Sequence, residues 1–395
     1  MIVALRFKNF FSLRDNTVID FTADITPTRN INFLADNLIR HNSDFFINII
    51  GLFGSNAAGK SNLIKAMQLC RDMVINSKPT GSFVLQEFKP FKFSSSCPSE
   101  FYIDFIYQGV EYEYSYSILD SKILTEDLYY YPKKKRARVF SRLESGEYRL
   151  GKGVINRPAE VISSTGPGTL FVSQAASMNR EIPGKVYDFF LNNIVTSVPD
   201  FRFEDLKRSD FEAYRTLILK AMEVSDSDIM DIQWQENLPG EIKLISRHKE
   251  NPEIAFDFEK EESEGTKRLF FLVMILLKNL NNNLTIFWDE FDLKLHLRLA
   301  EFILDIVRAS RSLQLVFTSH NPYLLDAEKM RPEQIVIVNK DSTGSSEFIP
   351  LSDYEGIGKL TDLRKAYLLG RFDGVPYTGD IYGLVNDLKG KNEEA

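Results

Sequence analysis

Cysteine is scarce in this chain: 395 residues contain Cys70 and Cys97 alone, at no metal-binding spacing. A disulfide framework is therefore excluded, and Cys70, on the apolar side of a helical pattern, reads as a core thiol of a reducing compartment. Histidine is nearly as rare, at positions 41, 248, 296 and 320. That scatter lacks ligand spacing and argues against a metallohydrolase. Positive charge is outnumbered, 48 Lys and Arg against 55 Asp and Glu, for a net charge of −7. The surface as a whole does not advertise nucleic-acid binding, which would need a local patch. There is no run of about 18 apolar residues to span a bilayer. The start, Met1–Phe7, shows no basic stretch leading into a long apolar one, the mark of a secretory leader. The expectation is a cytoplasmic protein without membrane contact.

What the chain does have begins at Gly54-Ser55-Asn56-Ala57-Ala58-Gly59-Lys60-Ser61, which fits G-x-x-x-x-G-K-[ST]. Before it runs Phe46–Phe53, apolar and of buried-strand length. After it Leu63, Ala66, Met67, Cys70, Met73 and Val74 recur at helical spacing. Strand, glycine loop and helix are the context this motif needs. The glycines let successive N–H groups converge on one anion, and the helix's first turn adds partial positive charge. Lys60 would reach the β- and γ-phosphates, and the Ser61 hydroxyl would ligate Mg²⁺. Gly54, Asn56, Ala57, Ala58, Gly59, Lys60, Ser61 and Asn62 are thus the candidate nucleotide-binding residues, with ATP and Mg²⁺ as the expected ligands.

Hydrophobic content of 44% and charged content of 26% are ordinary for a globular protein. The patterning predicts one α/β fold carrying an insertion. Residues 1–23 read as two strands joined by a polar turn at 12–16, and residues 24–44 as loop. From Val84 to Leu150 the period is that of strands, with Gln108-Gly109 a turn and Tyr112, Tyr114 and Tyr116 on one face. Lys133-Lys134-Lys135-Arg136, beside Tyr129–Tyr131, could meet a nucleic-acid backbone and bases. A solvated hairpin tip is the simpler reading. Residues 178–232 are helical in pattern, and strand returns near 242–245 and 254–258. The expected division is 1–175 for the first half of the nucleotide-binding fold with a β-rich lobe, 176–250 for a helical insertion or lid, and 251–395 for the second half.

Four features follow in close order. Ser263-Glu264-Gly265-Thr266-Lys267-Arg268 opens an apolar helix, and such a turn is a second anion site. Leu284–Trp288 is an apolar strand ending in Asp289-Glu290, placed so that the first acid coordinates Mg²⁺ and the second polarises water. Asp292 and His296 come next. Leu313–Phe317 is another buried strand, ending Thr318-Ser319-His320-Asn321-Pro322. Acids and histidine at the carboxyl edge of a parallel sheet stand where α/β folds place ligands.

This order resembles the ABC-type ATPase heads of the SMC and double-strand-break-repair class. Within that class it is most similar to the small bacterial AAA ATPases of the abortive-infection AbiL/RloA type. Phe7–Ser12, Glu262–Arg268 and Tyr367-Leu368-Leu369-Gly370-Arg371-Phe372-Asp373-Gly374-Val375-Pro376 agree as well. The resemblance implies a P-loop NTPase that dimerises with two nucleotides between subunits. Ser263, Gly265 and Thr266 would then form a signature touching the γ-phosphate on the partner's loop. It further implies Asp289 holding Mg²⁺ through water, Glu290 as general base, His320 sensing the γ-phosphate and Gln86 bridging metal and water. Lys60, Glu290 and His320 would be the catalytic set. The sequence departs from the pattern in having Leu297, where such heads often carry Pro, and in lacking the double glycine of transporter signatures.

Several functions fit such a head. One is a nucleotide-driven switch in an anti-phage system, controlling a separate effector such as a nuclease. A DNA-repair or chromosome-associated ATPase is the alternative, yet the roughly 200 residues between Ser61 and Ser263 show no sustained heptads for a long coiled coil. A fused TOPRIM nuclease would hardly fit in the roughly 70 residues after His320, which show no apolar strand feeding an acidic cluster.

Overall fold

Alternating apolar residues at the start of the chain form antiparallel strands β1 (Ile2–Lys8) and β2 (Thr17–Asp20), as their period predicts. The structure is a computed structural model describing residues 1–27, 29–76, 88–196, 203, 206–224, 228–236, 242–279, 283–293, 295–357 and 362–375. Residues 24–44 depart from the loop expectation. They hold a 3-10 turn at Ala35–Asn37 and strand β3 (Leu38–His41), paired with β4 (Asp44–Ile47). The single strand expected over 46–53 is broken at Asn48. Its N–H donates to Asn37 O at 3.1 Å and its side-chain amide to Asp36 O at 2.8 Å. A continuous apolar run has no period to mark such a break. The second piece, β5 (Ile49–Phe53), is wholly buried.

Helix α1 (Lys60–Asn76) follows the glycine loop. Then come β6 (Ser99–Tyr107), β7 (Val110–Leu119), β8 (Lys122–Tyr130), β9 (Ala137–Arg142) and β10 (Tyr148–Leu150). With β1 and β2 they make a seven-stranded antiparallel sheet in the order β10-β9-β8-β7-β6-β1-β2. The predicted two-residue turn is present at Gln108-Gly109, with φ of 51° and 76°. Tyr112, Tyr114 and Tyr116 are buried on the face that was expected to be aromatic. Helices α2 (Pro158–Ser164), α3 (Phe171–Ser177) and α4 (Glu181–Asn192) pack against that face, leading into the short strand β11 (Ile194–Val195).

Next are α5 (Arg208–Val224) and a three-stranded sheet of β12 (Ile229–Glu236), β13 (Ile242–His248) and β14 (Phe256–Asp257). The chain then runs through α6 (Phe258–Glu261), α7 (Glu264–Asn279), β15 (Thr285–Trp288), α8 (Leu297–Ala309) and β16 (Gln314–Ser319). It closes with β17 (Ile335–Lys340), β18 (Ser346–Pro350) and α9 (Leu363–Leu368). Between 176 and 250 the chain gives α4 to the first core and β11 to the central sheet before α5 begins.

The central sheet runs β11-β15-β16-β5-β17-β18, parallel except for the last pair. Both faces are covered, so its strands are almost unbroken in Ile, Leu, Val and Phe. Period two still sorts them. Ile50, Leu52, Phe287, Val316, Val336 and Val338 enter the core shared with α1, α3, α4 and the antiparallel sheet. Ile49, Phe53, Ile286, Trp288, Leu315, Phe317, Ile335 and Ile337 face the core beneath α5, α7, α8 and α9. Among the described residues no helix is long and apolar enough to cross a membrane.

Candidate nucleotide-binding site

Three neighbouring parallel strands assemble the site. β15, β16 and β5 lie side by side and end at Trp288, Ser319 and Phe53. The next residue of each, Asp289, His320 and Gly54, therefore stands at one sheet edge.

The glycine loop is held by close approach on both sides. A Cβ on Gly54 would stand 2.2 Å from Val338 O, so no other residue fits there without displacing β17. Gly59 has φ of 107°, and a Cβ on it would meet Ser346 Oγ at 2.0 Å and Ser12 Oγ at 2.5 Å. Those hydroxyls form a directional chain. Asn62 Nδ2 donates to Ser12 Oγ at 2.7 Å, and the two serine oxygens lie 2.6 Å apart. Ser346 Oγ donates to Ala58 O at 2.5 Å. With Ser346 so committed, Ser12 is the donor between them. Asn56 and Ala57 are exposed at the loop's crest, and Ala57 has φ of 62°.

Lys60 is buried at the start of α1. Its Nζ donates to Gly54 O at 2.8 Å and Ser55 O at 2.9 Å, and lies 3.4 Å from His320 Nδ1. Burial lowers the Lys60 pKa to about 8, against the opposing pull of Asp289 and Glu290. Burial, and next the Lys60 charge, hold His320 below its usual value. An ammonium has no lone pair, so Nδ1 of His320 accepts at this contact and the ring's proton sits on Nε2.

Asp289 Oδ1 accepts from Ser61 Oγ at 2.9 Å and from Thr318 Oγ1 at 2.6 Å. Thr318 Oγ1 in turn accepts from Glu290 N at 2.7 Å. Thr318 is buried and joins both acids, with Glu290 held at φ of 49° and exposed. Sequence reading gave Thr318 no role of its own; the available signal was its place in Thr-Ser-His-Asn. Ser61 and Asp289 place two hard oxygen donors side by side, a donor set suited to Mg²⁺. Among the described residues no group of three His, Cys, Asp or Glu side chains could hold a metal alone. Magnesium commonly completes its shell with phosphate oxygens and water.

The signature residues lie at the start of α7. Ser263 Oγ caps that helix, accepting from Thr266 N at 3.1 Å, and contacts Thr266 Oγ1 at 2.8 Å. Gly265 sits in the first turn. Among the described residues no hydrogen bond joins Ser263, Gly265 or Thr266 to the phosphate loop of the same chain. His296 caps α8, its Nδ1 accepting from Arg298 N at 3.3 Å, and Leu297 takes the first helical position in place of proline. Gln86 lies outside the described residues. At the basic hairpin tip, Arg136 donates to Glu113 at 2.8 Å and stacks 3.6 Å over Tyr129, while Lys133, Lys134 and Lys135 are exposed.

A glycine loop before a helix, acids after one parallel strand and a histidine after the next define an α/β P-loop NTPase of the ABC-type head class. Residues 49–326 match the family model described as "AAA domain, putative AbiEii toxin, Type IV TA system", and the chain belongs to that family. Among solved structures it is similar to the SMC head domain from Thermotoga maritima. The identity there is 15%, with 88% of this chain and 98% of that one covered and a TM-score of 0.44. It is also similar to the Smc head domain with an extended coiled coil bound to the C-terminal domain of ScpA derived from Pyrococcus furiosus. That match has 14% identity, 88% and 95% coverage, and a TM-score of 0.45. No curated protein matches the chain in sequence.

Proposed function

We propose that this protein is a Mg²⁺-dependent ATPase that closes as a homodimer around two nucleotides. In this reading it serves as a switch or sensor in a bacterial anti-phage system of the abortive-infection AbiL/RloA type, controlling a separate effector such as a nuclease. The observation that carries the ATPase reading is the convergence of Lys60, Ser61, Asp289, Thr318, Glu290 and His320 at one sheet edge. The defence reading rests on the resemblance to the AbiL/RloA type, with which the AbiEii and Type IV TA system wording of the family description is compatible.

Lys60 leaves its two loop carbonyls to bind the β- and γ-phosphates, its charge retained below about pH 8. Ser61 and Asp289 would hold Mg²⁺, which when bound would supply charge neutralisation at those phosphates. Glu290 takes a proton from the attacking water as the water oxygen bonds to the γ-phosphorus, and the bond from that phosphorus to the β–γ bridging oxygen breaks with ADP as the leaving group. His320, neutral and with its proton on Nε2, donates to the γ-phosphate oxygens. Ser263, Gly265 and Thr266 of one copy cover the γ-phosphate on the other. ATP binding shifts the population toward the closed pair, and hydrolysis returns it to the open one.

Turnover per subunit is therefore expected to rise with protein concentration, and Ser263→Arg, which fills the trans contact, to leave it low and flat. Steady-state phosphate release across a dilution series decides this. A concentration-independent rate in the wild type would sink the sandwich. The Lys60 ammonium adds a pH signature. Affinity for a fluorescent ATP analogue should weaken from about pH 7 to about pH 9.5 as the lysine loses its proton, and a flat profile would count against its role.

A further inference from the structure

We propose that the segment 362–375 is a positioning element for nucleotide binding and hydrolysis, tying the first glycine of the phosphate loop to the turn that follows His320. The inference rests on the ATPase reading and adds residues to it.

The segment touches the site at two ends. At one, Gly374 lies flat on the loop: a Cβ there would sit 3.6 Å from Gly54 Cα and 2.9 Å from both Ile337 Cγ2 and Tyr367 Cε2. Gly54 is thus closed in by Gly374 as well as by Val338 O. Tyr367, buried in the second core, donates its hydroxyl to Gly374 O at 3.0 Å and fixes the height of that backbone. Phe372, also buried, has its carbonyl gripped twice, by Asn339 Nδ2 and Tyr354 Oη, each at 3.2 Å. Gly370, at φ of 76°, ends α9 and turns the chain toward these contacts.

At the other end α9 lies against the 3-10 turn Pro322–Leu324, two residues past His320. Leu363 and Ala366 share the second core with Leu324 and Leu325. The Arg364 guanidinium lies 4.7 Å from the centre of the Tyr323 ring. Asn321 caps that turn, accepting from Tyr323 N at 3.0 Å, so His320 leads directly into a rigid piece of backbone. The result is a closed circuit. Gly54 leads through the loop to Lys60, Lys60 meets His320, and the turn after His320 meets α9. α9 then returns through Tyr367 and Gly374 to Gly54.

Such a circuit fixes the loop and the histidine relative to each other from behind, leaving the phosphate side open. A displacement of about 1 Å in a positioning residue can cost up to about a hundredfold in rate. The two ends should register on different constants. Gly374→Ala presses its methyl on Ile337 Cγ2 and Tyr367 Cε2, each 2.9 Å away, and so shifts the backbone that backs Gly54; it is expected to raise the ATP KM about tenfold, with kcat nearly retained. Arg364→Ala loosens the turn after His320 and is expected to lower kcat about threefold at unchanged KM. Tyr367→Phe removes one hydroxyl from a buried ring and keeps the test decisive if Gly374→Ala does not fold. It should raise KM about threefold in a protein with a near wild-type melting temperature.

The measurement is a steady-state ATPase titration of the full chain, with folded fraction fixed by melting curves. A split between KM and kcat at the two ends supports the circuit. Unchanged constants in folded Tyr367→Phe and Arg364→Ala, or losses that only track the unfolded fraction, overturn it. A wild type that neither binds nor hydrolyses ATP refutes the ATPase reading itself, a separate outcome read from the same titration.

Discussion

Glu290→Gln is expected to bind ATP as the wild type does, to lose at least about a hundredfold in kcat, and to accumulate as a dimer in ATP and Mg²⁺. The amide keeps the size and shape of the carboxylate but cannot take the water's proton. The backbone of residue 290 should hold its place, because its N–H bond to Thr318 Oγ1 does not involve the side chain. Asp289 keeps its bonds from Ser61 and Thr318, and Lys60 is untouched, so the binding half of the site survives. Light scattering with and without ATP, beside phosphate release, gives the answer. Turnover at the wild-type rate would remove Glu290 from its role. Loss of turnover with no change in mass would keep the base and remove the ATP-closed dimer.

Arg331→Ala should destabilise the fold by about 3–5 kcal/mol. The side chain is wholly buried. Its Nε donates to Glu333 Oε1 at 2.6 Å, and its other nitrogens donate to Phe33 O at 2.6 Å, Asp24 O at 2.9 Å and Arg29 O at 3.2 Å. One guanidinium therefore pins the segment around residues 24–33, remote in sequence, to the approach to β17. Truncation strands these carbonyls and leaves Glu333, itself buried, with Arg29 at 3.7 Å as its remaining cationic partner among the described residues. Arg331→Lys should recover part of the loss, since a point charge can replace the ion pair but not the fork of donors. Chemical denaturation of the two variants checks both. An alanine variant within about 1 kcal/mol of wild type would show that the segment rearranges freely around the gap.

The phosphate loop, the acid-tipped strand and the histidine-tipped strand were legible because each is local. A glycine spacing, an apolar run and the residue that ends it lie within about ten positions. The partners that complete them are not. Thr318 reaches Asp289 across 29 residues, Ser346 reaches Ala58 across 288, and Ser12 reaches Ser346 across 334. Single serines and threonines carry no periodic signal, so nothing in their own neighbourhoods marks them. The 24–44 stretch was read as loop for a related reason. Its strand β3 is four residues long, too short for alternation to stand out, and Arg331, which anchors the preceding segment, comes some 300 positions later. The hairpin at Gln108-Gly109 was the opposite case, with turn chemistry and register both encoded beside each other.

The hydroxyl chain behind Gly59 bears on where this protein can be cut. The family-matched stretch, 49–326, holds every residue with a proposed chemical role. Yet Ser12 and Ser346, which wall that glycine, fall outside it on opposite sides, and Val338 and Gly374, which close in Gly54, both lie beyond its C-terminal end. An excised 49–326 fragment would carry every residue with a proposed chemical role but would lose Ser12, Val338, Ser346 and Gly374 from behind its phosphate loop. For truncation and for grafting, the smallest unit that keeps the nucleotide cradle intact runs from the first strand to Gly374.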